Sequence, residues 1–343
     1  MNKYEVTVVI PAYNSEKYIS RCIESLVCQR DISLQIIVVN DGSTDTTKLI
    51  CEEYEKKYDN FILLNKKNEG QGIARNFGMK YAEGEYVGFV DSDDYVNQGM
   101  YYHLYNQAKK YSSDWVYSYT EGESYLDATE LEAINDGVLI STPTQKQYMK
   151  ELFLGGLPNE ELDSFLGISV WRSIFSMEII KKHKIEFVSE RKVNSEDLLF
   201  NLDFLKYANI VCTYNGAFYN YMHDNSFSFS VRPNENRYKM FKMLYREMSD
   251  RLDNSLQLIR IQRRFLANLR ITMVEYARWC TFNNYFETRK KMQDILGDSM
   301  VIEILQSYPI KKLPFMQCIY FYLMKHKWCL MLVLFAKIRY KIL

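Results

Sequence analysis

The chain has 343 residues, of which 47% are hydrophobic and 25% are charged, proportions that are ordinary for a globular protein. Its 43 Lys and Arg balance its 43 Asp and Glu, so no global positive field points to nucleic-acid binding, and we predict no nucleic-acid partner. Seven scattered cysteines without a CxxC pair disfavour a disulfide framework or a zinc site and indicate the reduced thiols of a cytoplasmic protein.

The first hundred residues alternate between predicted strands and predicted helices. The strands are short, apolar and mostly β-branched, at 6–10, 35–39, 61–64 and 86–90. The helices are expected to begin at Ser15, at Thr44 or Asp45, and at Gln71. This alternation predicts right-handed βαβ units and a mostly parallel sheet, that is, an α/β fold. Ligands of such sheets bind at the carboxyl ends of strands, where the polar segments 11–14, 40–45 and 91–94 lie.

Beyond residue 114 the alternation weakens and the domain organisation changes. Residues 120–165 are acidic and rich in predicted loops, which suggests an insertion on the acceptor side. From about residue 236 the apolar pattern becomes helical. We therefore predict a domain over 1–235, with a nucleotide-binding half at 1–115 and an acceptor-side half at 116–235. A helical C-terminal region follows at 236–343.

The end of the chain has a one-sided charge. No acidic residue follows Glu303, whereas seven Lys or Arg do, separated by apolar and aromatic residues. The longest apolar run there, 328–336, is far below the roughly 20 residues that a membrane span needs. This pattern predicts an amphipathic segment lying on an anionic membrane surface. The alternative is a pair of C-terminal helices that completes the fold.

An acidic cluster follows the fourth predicted strand. Asp91, Asp93 and Asp94 place three carboxylates within four residues, which would repel one another unless a positive group lies among them. A divalent metal with a diphosphate is such a group, since Mg²⁺ takes one or two carboxylates and completes its shell with phosphate and water. The alternative is that the cluster caps a helix starting near Gln98, because Asp favours helix N-termini.

A second segment, 68–76, places two glycines and Arg75 at the start of the third helix. Glycine permits close backbone approach, and a helix N-terminus favours anions. A dinucleotide-binding GxGxxG site is disfavoured, because Arg75 replaces the third glycine and the segment follows the third strand rather than the first.

Four segments in this order, 8–14, 38–45, 68–76 and 89–94, resemble glycosyltransferase family 2. The resemblance implies the GT-A fold, a Rossmann-like α/β fold with a mostly parallel central sheet. It also implies a nucleotide pocket formed by Pro11, Ala12, Tyr13, Asp41, Asn68 and Arg75. Within this pocket Asp41 would contact the base, usually uracil.

The same resemblance assigns the acidic cluster. Asp91 would bind the ribose or base side of the donor, with Ser92 beside it. Asp93 would ligate Mn²⁺ or Mg²⁺ bridging the diphosphate. Asp94 receives only a supporting role.

The catalytic base is expected further along the chain. Glu196 and Asp197 resemble the family's Glu-Asp motif, in which the Asp accepts the proton of the acceptor hydroxyl, although the pair could also be a plain helix cap with Ser195. Downstream, Met222 stands where the family commonly has Arg, and His223 is the nearest substitute for contacting diphosphate or metal.

The resemblance implies an inverting enzyme that transfers a hexose or N-acetylhexosamine from a UDP-sugar and forms a β-linkage. The membrane-seeking end suggests a lipid-linked acceptor, such as a polyprenyl-diphosphate glycan in O-antigen, capsule or exopolysaccharide synthesis, on the inner face of the bacterial membrane. One alternative is a non-catalytic nucleotide-sugar-binding component of an assembly complex, which would have no reason to retain the pair Glu196 and Asp197. Another is a phosphotransferase with Asp91 as nucleophile, which lacks an activating Lys nearby.

Overall fold

The computed structural model describes residues 3–119, 132–134, 137–160, 169–222, 233–234 and 236–339. The chain forms two compact units, the first of Met1–Lys150 with Leu166–His223 and the second of Glu151–Phe165 with Asp224–Leu343. The strands are β1 (Tyr4–Ala12), β2 (Leu34–Asn40), β3 (Phe61–Asn65), β4 (Gly84–Phe89), β5 (Tyr95–Val96), β6 (Trp115–Tyr119), β7 (Glu132–Ile134), β8 (Gly137–Ile140), β9 (Ser173–Ser176), β10 (Val211–Asn215) and β11 (Tyr219–Asn220). The helices are α1 (Ile19–Val27), α2 (Thr47–Lys57), α3 (Gln71–Met79), α4 (Met100–Tyr111), α5 (Pro143–Leu154), α6 (Met177–His183), α7 (Glu196–Tyr207), α8 (Arg237–Ser249), α9 (Ser255–Trp279), α10 (Tyr285–Leu296), α11 (Ser299–Ser307), α12 (Phe315–Lys325) and α13 (Cys329–Arg339).

The first unit contains the central sheet. Among the described residues, nine strands form it in the order β3-β2-β1-β4-β9-β6-β10-β8-β7. Strands β1 to β4 pair in parallel, as the alternation predicts. Strand β9 runs antiparallel between β4 and β6, whereas β10 is again parallel to β6. This mixed, mostly parallel sheet with helices confirms the predicted α/β class, and it brings the carboxyl ends of β1, β2 and β4 to the same edge as the start of β9.

The local sequence explains most of these elements. Strand β1 is buried on both faces from Val6 onward, which is why it reads as a continuous apolar run. Helix α1 starts later than predicted, at Ile19, because the Ser15 carbonyl first closes a turn by accepting the N–H groups of Tyr18 and Ile19, each at 2.9 Å. Helix α2 likewise starts at Thr47, whose N–H is bound by the Asp45 carboxylate at 3.0 Å.

The acidic segment 91–94 lies in a turn and not at a helix start. It follows β4 and leads into β5, and helix α4 begins only at Met100. The residue preceding that helix is Gly99, with a φ of +87° that suits glycine. The helix-cap alternative for this cluster is therefore wrong.

The second unit is helical in the part of the chain described, which confirms the helical C-terminal region. Helices α8 to α13 surround a buried apolar cluster that includes Leu269, Met273, Leu305 and Met324. Helix α9 is capped by the side chain of Asn254, which accepts the Gln257 N–H at 3.0 Å. None of the helices formed by the described residues combines the length and apolarity that a bilayer span requires.

Candidate active site

Arg75 lies at the centre of a charge cluster at the carboxyl edge of the first unit's sheet. Its side chain, on α3, is only 1% exposed. Nη2 contacts Oδ1 of Asp91 at 2.7 Å, and Nη1 contacts Oδ1 of Asp197 at 2.8 Å and Oε1 of Glu196 at 3.2 Å. The planar guanidinium can bridge several carboxylates because it presents donors in fixed directions. The structure thus joins four predicted site residues, which come from three separate segments of the chain.

Asp197 has the properties of a proton acceptor that works near neutral pH. Burial raises its pKa to about 7, with the nearby carboxylates of Glu196 and Asp91 adding to the rise and the charge of Arg75 opposing it. Its Oδ2 accepts the N–H of Val170 at 3.2 Å. The side chain nevertheless keeps 15% of its surface exposed, so a ligand can reach it. A base with a pKa close to the working pH is the most effective in proton transfer.

Glu196 supports this arrangement from a buried position. Its Oε1 accepts from Nε2 of Gln71 at 2.6 Å as well as from Arg75. Ser195 occupies the N-cap position of α7, but its hydroxyl donates to the carbonyl of Asn194 and caps no helix N–H. The contacts of the pair therefore do not match those of a plain helix cap.

The acidic segment divides into a buried and an exposed part. Asp94 is fully buried, and its carboxylate accepts the Tyr219 hydroxyl at 2.7 Å and the Met222 N–H at 2.9 Å. Burial raises its pKa to about 6. Asp93 is exposed, and its backbone carbonyl accepts from Arg21 Nη2 at 2.7 Å. Asp94 thus holds the segment around β11 against the acidic turn, while Asp93 stays exposed.

The donor set in this turn can be compared with the needs of a divalent cation. The described residues hold no group of three or more His, Cys, Asp or Glu side chains arranged to bind a metal. Asp93 is exposed, and Asp91 shares its carboxylate with Arg75. Because Mg²⁺ uses one or two carboxylates and takes phosphate and water for the rest, Asp93 fits a cation that a bound diphosphate helps to hold.

Asp41, predicted to contact the base, is buried beneath the loop that leads into α3. Its carboxylate accepts Lys66 Nζ at 2.7 Å, the Gly70 N–H at 2.7 Å and the Glu69 N–H at 3.0 Å. These contacts fix the path of the chain before Arg75. Contact with a base stays a prediction.

The remaining predicted nucleotide residues lie at the ends of β1 and β4 and beside the loop before α3. Pro11 and Ala12 are buried in β1, whereas Tyr13 is 51% exposed. The Ser92 hydroxyl lies 2.6 Å from that of Ser15. The side chain of Asn68 contacts Arg191. His223 lies outside the described residues.

Glu190 is a site residue that the sequence analysis missed. Its Oε2 accepts the N–H of Gly72 at 3.1 Å, at the helix start where an anion was expected. Gly70, one residue before α3, has a φ of +98°, and a side chain there would collide with the Glu190 carboxylate. Gly72 and Glu190 are 118 residues apart in the sequence, so no local sequence pattern indicates their contact.

Comparisons with known proteins give matches to glycosyltransferases. Residues 7–152 match the profile described as "Glycosyl transferase family 2". The chain is 30% identical over 191 residues to "Glycosyltransferase GlyA" of Streptococcus pneumoniae serotype 4, a match that covers 53% of this chain and 26% of that protein. It is 32% identical over 205 residues to "Poly(ribitol-phosphate) beta-glucosyltransferase" of Bacillus spizizenii, which covers 58% of this chain and 29% of that protein. The chain thus spans less than a third of the length of either relative.

Among solved structures, S. aureus TarS 1–349 in complex with UDP-GlcNAc has a similar fold. The TM-score is 0.65 at 20% sequence identity, and the match covers 98% of this chain and 92% of that one. The likeness confirms the GT-A fold.

Proposed function

We propose that this chain, whose residues 7–152 match the model of glycosyl transferase family 2, transfers a hexose or N-acetylhexosamine from a UDP-sugar to a glycan acceptor with inversion. The observation that carries the proposal is the Arg75 cluster, which joins Asp91 of the acidic turn to the accessible carboxyl of Asp197. A nucleotide-sugar transferase needs a donor-binding turn and a base for the acceptor, and Arg75 holds the two together.

In the proposed reaction Asp197 accepts the proton of an acceptor hydroxyl. The hydroxyl oxygen attacks the anomeric carbon of the donor sugar, and the bond from that carbon to the diphosphate oxygen breaks on the opposite face. UDP leaves with the bonding electron pair, and a UDP-α-sugar gives a β-linkage. Arg75 supports the ionised form of Asp197, because the positive charge lowers a pKa that burial raises. Asp93 would hold Mn²⁺ or Mg²⁺, which when bound neutralises charge on the leaving diphosphate.

The choice of a UDP-sugar as the donor is supported by a protein of similar fold. S. aureus TarS, of similar fold, was crystallised with UDP-GlcNAc, and this supports testing UDP-sugars first. The named relative that acts on poly(ribitol-phosphate) supports an acceptor of the cell-surface polymer class. Within that class we favour a lipid-linked glycan, such as one on polyprenyl diphosphate.

A lipid-linked acceptor agrees with a membrane-facing surface in the second unit. The outer face of α13 exposes four apolar side chains, each 46–73% exposed: Leu330, Met331, Leu334 and Ile338. The sequence after Glu303 contains seven Lys or Arg and no acidic residue. An exposed apolar face in such a basic region is suited to an anionic bilayer surface. The proposed location is therefore peripheral, on the cytoplasmic face of a bacterial cell membrane.

The deciding experiment is a panel of UDP-sugars with Mn²⁺ or Mg²⁺ and a short polyprenyl-diphosphate glycan mimic. UDP release is followed for the wild type and for Asp197→Asn. Release that depends on both acceptor and Asp197 supports the proposal. UDP binding without release by the wild type from any donor would contradict it and would favour a non-catalytic nucleotide-sugar-binding component.

A further inference from the structure

Three aromatic rings lie together next to the charge cluster, and we call Trp171, Tyr219 and Tyr221 the aromatic surface. The Trp171 and Tyr219 rings are stacked, with centroids 4.0 Å apart and planes 26° apart. The Tyr221 ring is nearly parallel to that of Trp171, at 15°, with the centroids 6.2 Å apart. All three residues belong to the first unit.

This surface is attached to both halves of the candidate active site. On the donor side the Tyr219 hydroxyl donates to Asp94 and accepts the N–H of Asp91 at 3.1 Å. On the other side, Trp171 follows Val170, whose N–H binds Asp197 Oδ2. The aromatic surface therefore adjoins the acidic turn at one end and the backbone that orients the proposed base at the other.

The exposure of these rings distinguishes them from the aromatic core. Phe89, Phe175 and Phe200 pack in the same unit in tilted and edge-to-face arrangements and are fully buried. Tyr221, in contrast, is 53% exposed, and Trp171 and Tyr219 are partly exposed. Partly exposed rings beside oriented polar groups are characteristic of ligand sites, in which apolar area supplies affinity and a few polar groups fix orientation.

We infer that the aromatic surface binds a pyranose ring of the acceptor. A pyranose has a face of C–H groups that can lie on an aromatic ring, and hydroxyls at its rim that can point toward carboxylates. A ring held here would present a rim hydroxyl to Asp197, because Trp171 of the aromatic surface directly follows Val170, whose N–H contacts that carboxylate. The inference rests on the proposed function and adds the surface on which the acceptor sugar binds.

The test compares Tyr221→Ala with Tyr221→Phe, which keeps the ring. Tyr221 is exposed, so neither change should prevent folding. The matched control is Tyr81→Ala, an exposed tyrosine beyond the C-terminal end of α3. We expect Tyr221→Ala to raise the acceptor KM about 3- to 10-fold, the range of an aromatic contact, while the donor KM and acceptor-independent donor hydrolysis remain unchanged. Tyr221→Phe and Tyr81→Ala should behave as the wild type.

A binding measurement separates this inference from the proposed function. Saturation-transfer NMR is recorded on UDP-saturated protein with the methyl β-glycosides of glucose, galactose and N-acetylglucosamine. We expect transfer to ring C–H protons of at least one glycoside, which Tyr221→Ala abolishes and Tyr221→Phe keeps. No transfer with the wild type, an unchanged signal in Tyr221→Ala, or a donor KM that rises in place of the acceptor KM overturns the inference. Glycoside binding without UDP release from any donor would contradict the proposed function alone.

Discussion

Nη1 of Arg75 lies 2.8 Å from Oδ1 of Asp197, and this contact ties helix α3 to the first turn of helix α7 across 122 residues of sequence. The same guanidinium reaches Asp91 after β4. One buried cation thus fixes the distance between the acidic turn and the proposed base. The predictions below follow from this arrangement and from the surfaces around it.

Replacing Asp197 by Asn removes the proton acceptor and keeps its shape. We expect transfer to fall by about 10²- to 10⁴-fold, the usual contribution of a general base. UDP affinity, measured by calorimetry, should change little. Asp203→Asn, in the same helix, is the control and should keep wild-type turnover. A loss of less than threefold in Asp197→Asn would show that the base lies elsewhere.

The raised pKa of Asp197 predicts a pH dependence. Because the base must be ionised, kcat/KM should rise as pH increases and level off above an inflection near 7, the value to which burial raises this carboxyl. The measurement is a rate profile from pH 5 to 9 at constant ionic strength. An inflection near 4, where an ordinary Asp titrates, would contradict the buried environment of Asp197.

Removing the charge of Arg75 should destabilise the first unit. Arg75→Met leaves Asp91, Glu196 and Asp197 without their shared cation, and breaking a buried ion pair in this way costs about 3–5 kcal/mol. Urea denaturation measures the loss. Adding Glu196→Gln to the variant should recover part of it, because one unpaired charge is removed.

The control for that comparison is Arg30→Met. Arg30 is exposed, so its replacement should change stability by no more than about 0.5 kcal/mol. If Arg75→Met were as stable as Arg30→Met, the cluster would not hold the two helices together.

The adjacent residues Asp93 and Asp94 of the acidic turn should respond differently to alanine. Asp94→Ala leaves the Tyr219 hydroxyl and the Met222 N–H without their acceptor, so we expect about 1–3 kcal/mol of lost stability in thermal denaturation. Asp93→Ala should keep the wild-type melting temperature, because Asp93 is exposed. The same variant should lose metal-dependent UDP binding, because Asp93 is the proposed metal ligand. Equal melting temperatures for the two variants would contradict this division of roles.

The outer face of α13 predicts binding to anionic lipid. The wild type should sediment with vesicles containing phosphatidylglycerol, less so at high salt, and not with phosphatidylcholine alone. Leu334→Glu with Ile338→Glu should lower the partition by at least about 10-fold, because two exposed apolar side chains are lost from the face. Leu256→Glu with Leu258→Glu, exposed on α9, is the matched control. If the two double variants bound the vesicles equally, the outer face of α13 would not be the lipid-binding surface.

Most strands and helices of the first hundred residues could be predicted, because short stretches of sequence determine them. Strand β2 lies within one residue of the predicted 35–39 at each end, and α3 starts at the predicted Gln71. Periodicity and turn residues determine such elements. The starts of α1 and α2 were placed too early, because polar residues before them close turns that a sequence pattern does not distinguish from helix caps.

The contacts between distant segments could not be predicted in the same way. The nucleotide-pocket role of Arg75 stays a prediction, and no local pattern indicates its contacts with Glu196 and Asp197, more than 120 residues away. Glu190 at the start of α3 was missed for the same reason. The nucleotide contacts of Asp41 and Asn68 and the domain boundary near residue 235 stay predictions.

Strand β9 is reversed relative to its neighbours β4 and β6, and this has a consequence for how the sequence of the protein can diversify. The loops proposed to bind the donor follow strands β1, β2 and β4, whereas Val170 and Trp171 precede strand β9. Because β9 is antiparallel, these residues lie at the same edge of the sheet as the donor loops. Changes in the stretch before β9 can therefore accumulate without altering the course of β1, β2 or β4. We expect the specificities for donor and acceptor to vary independently, so that homologues with the same donor loops differ in acceptor partly through the stretch before β9.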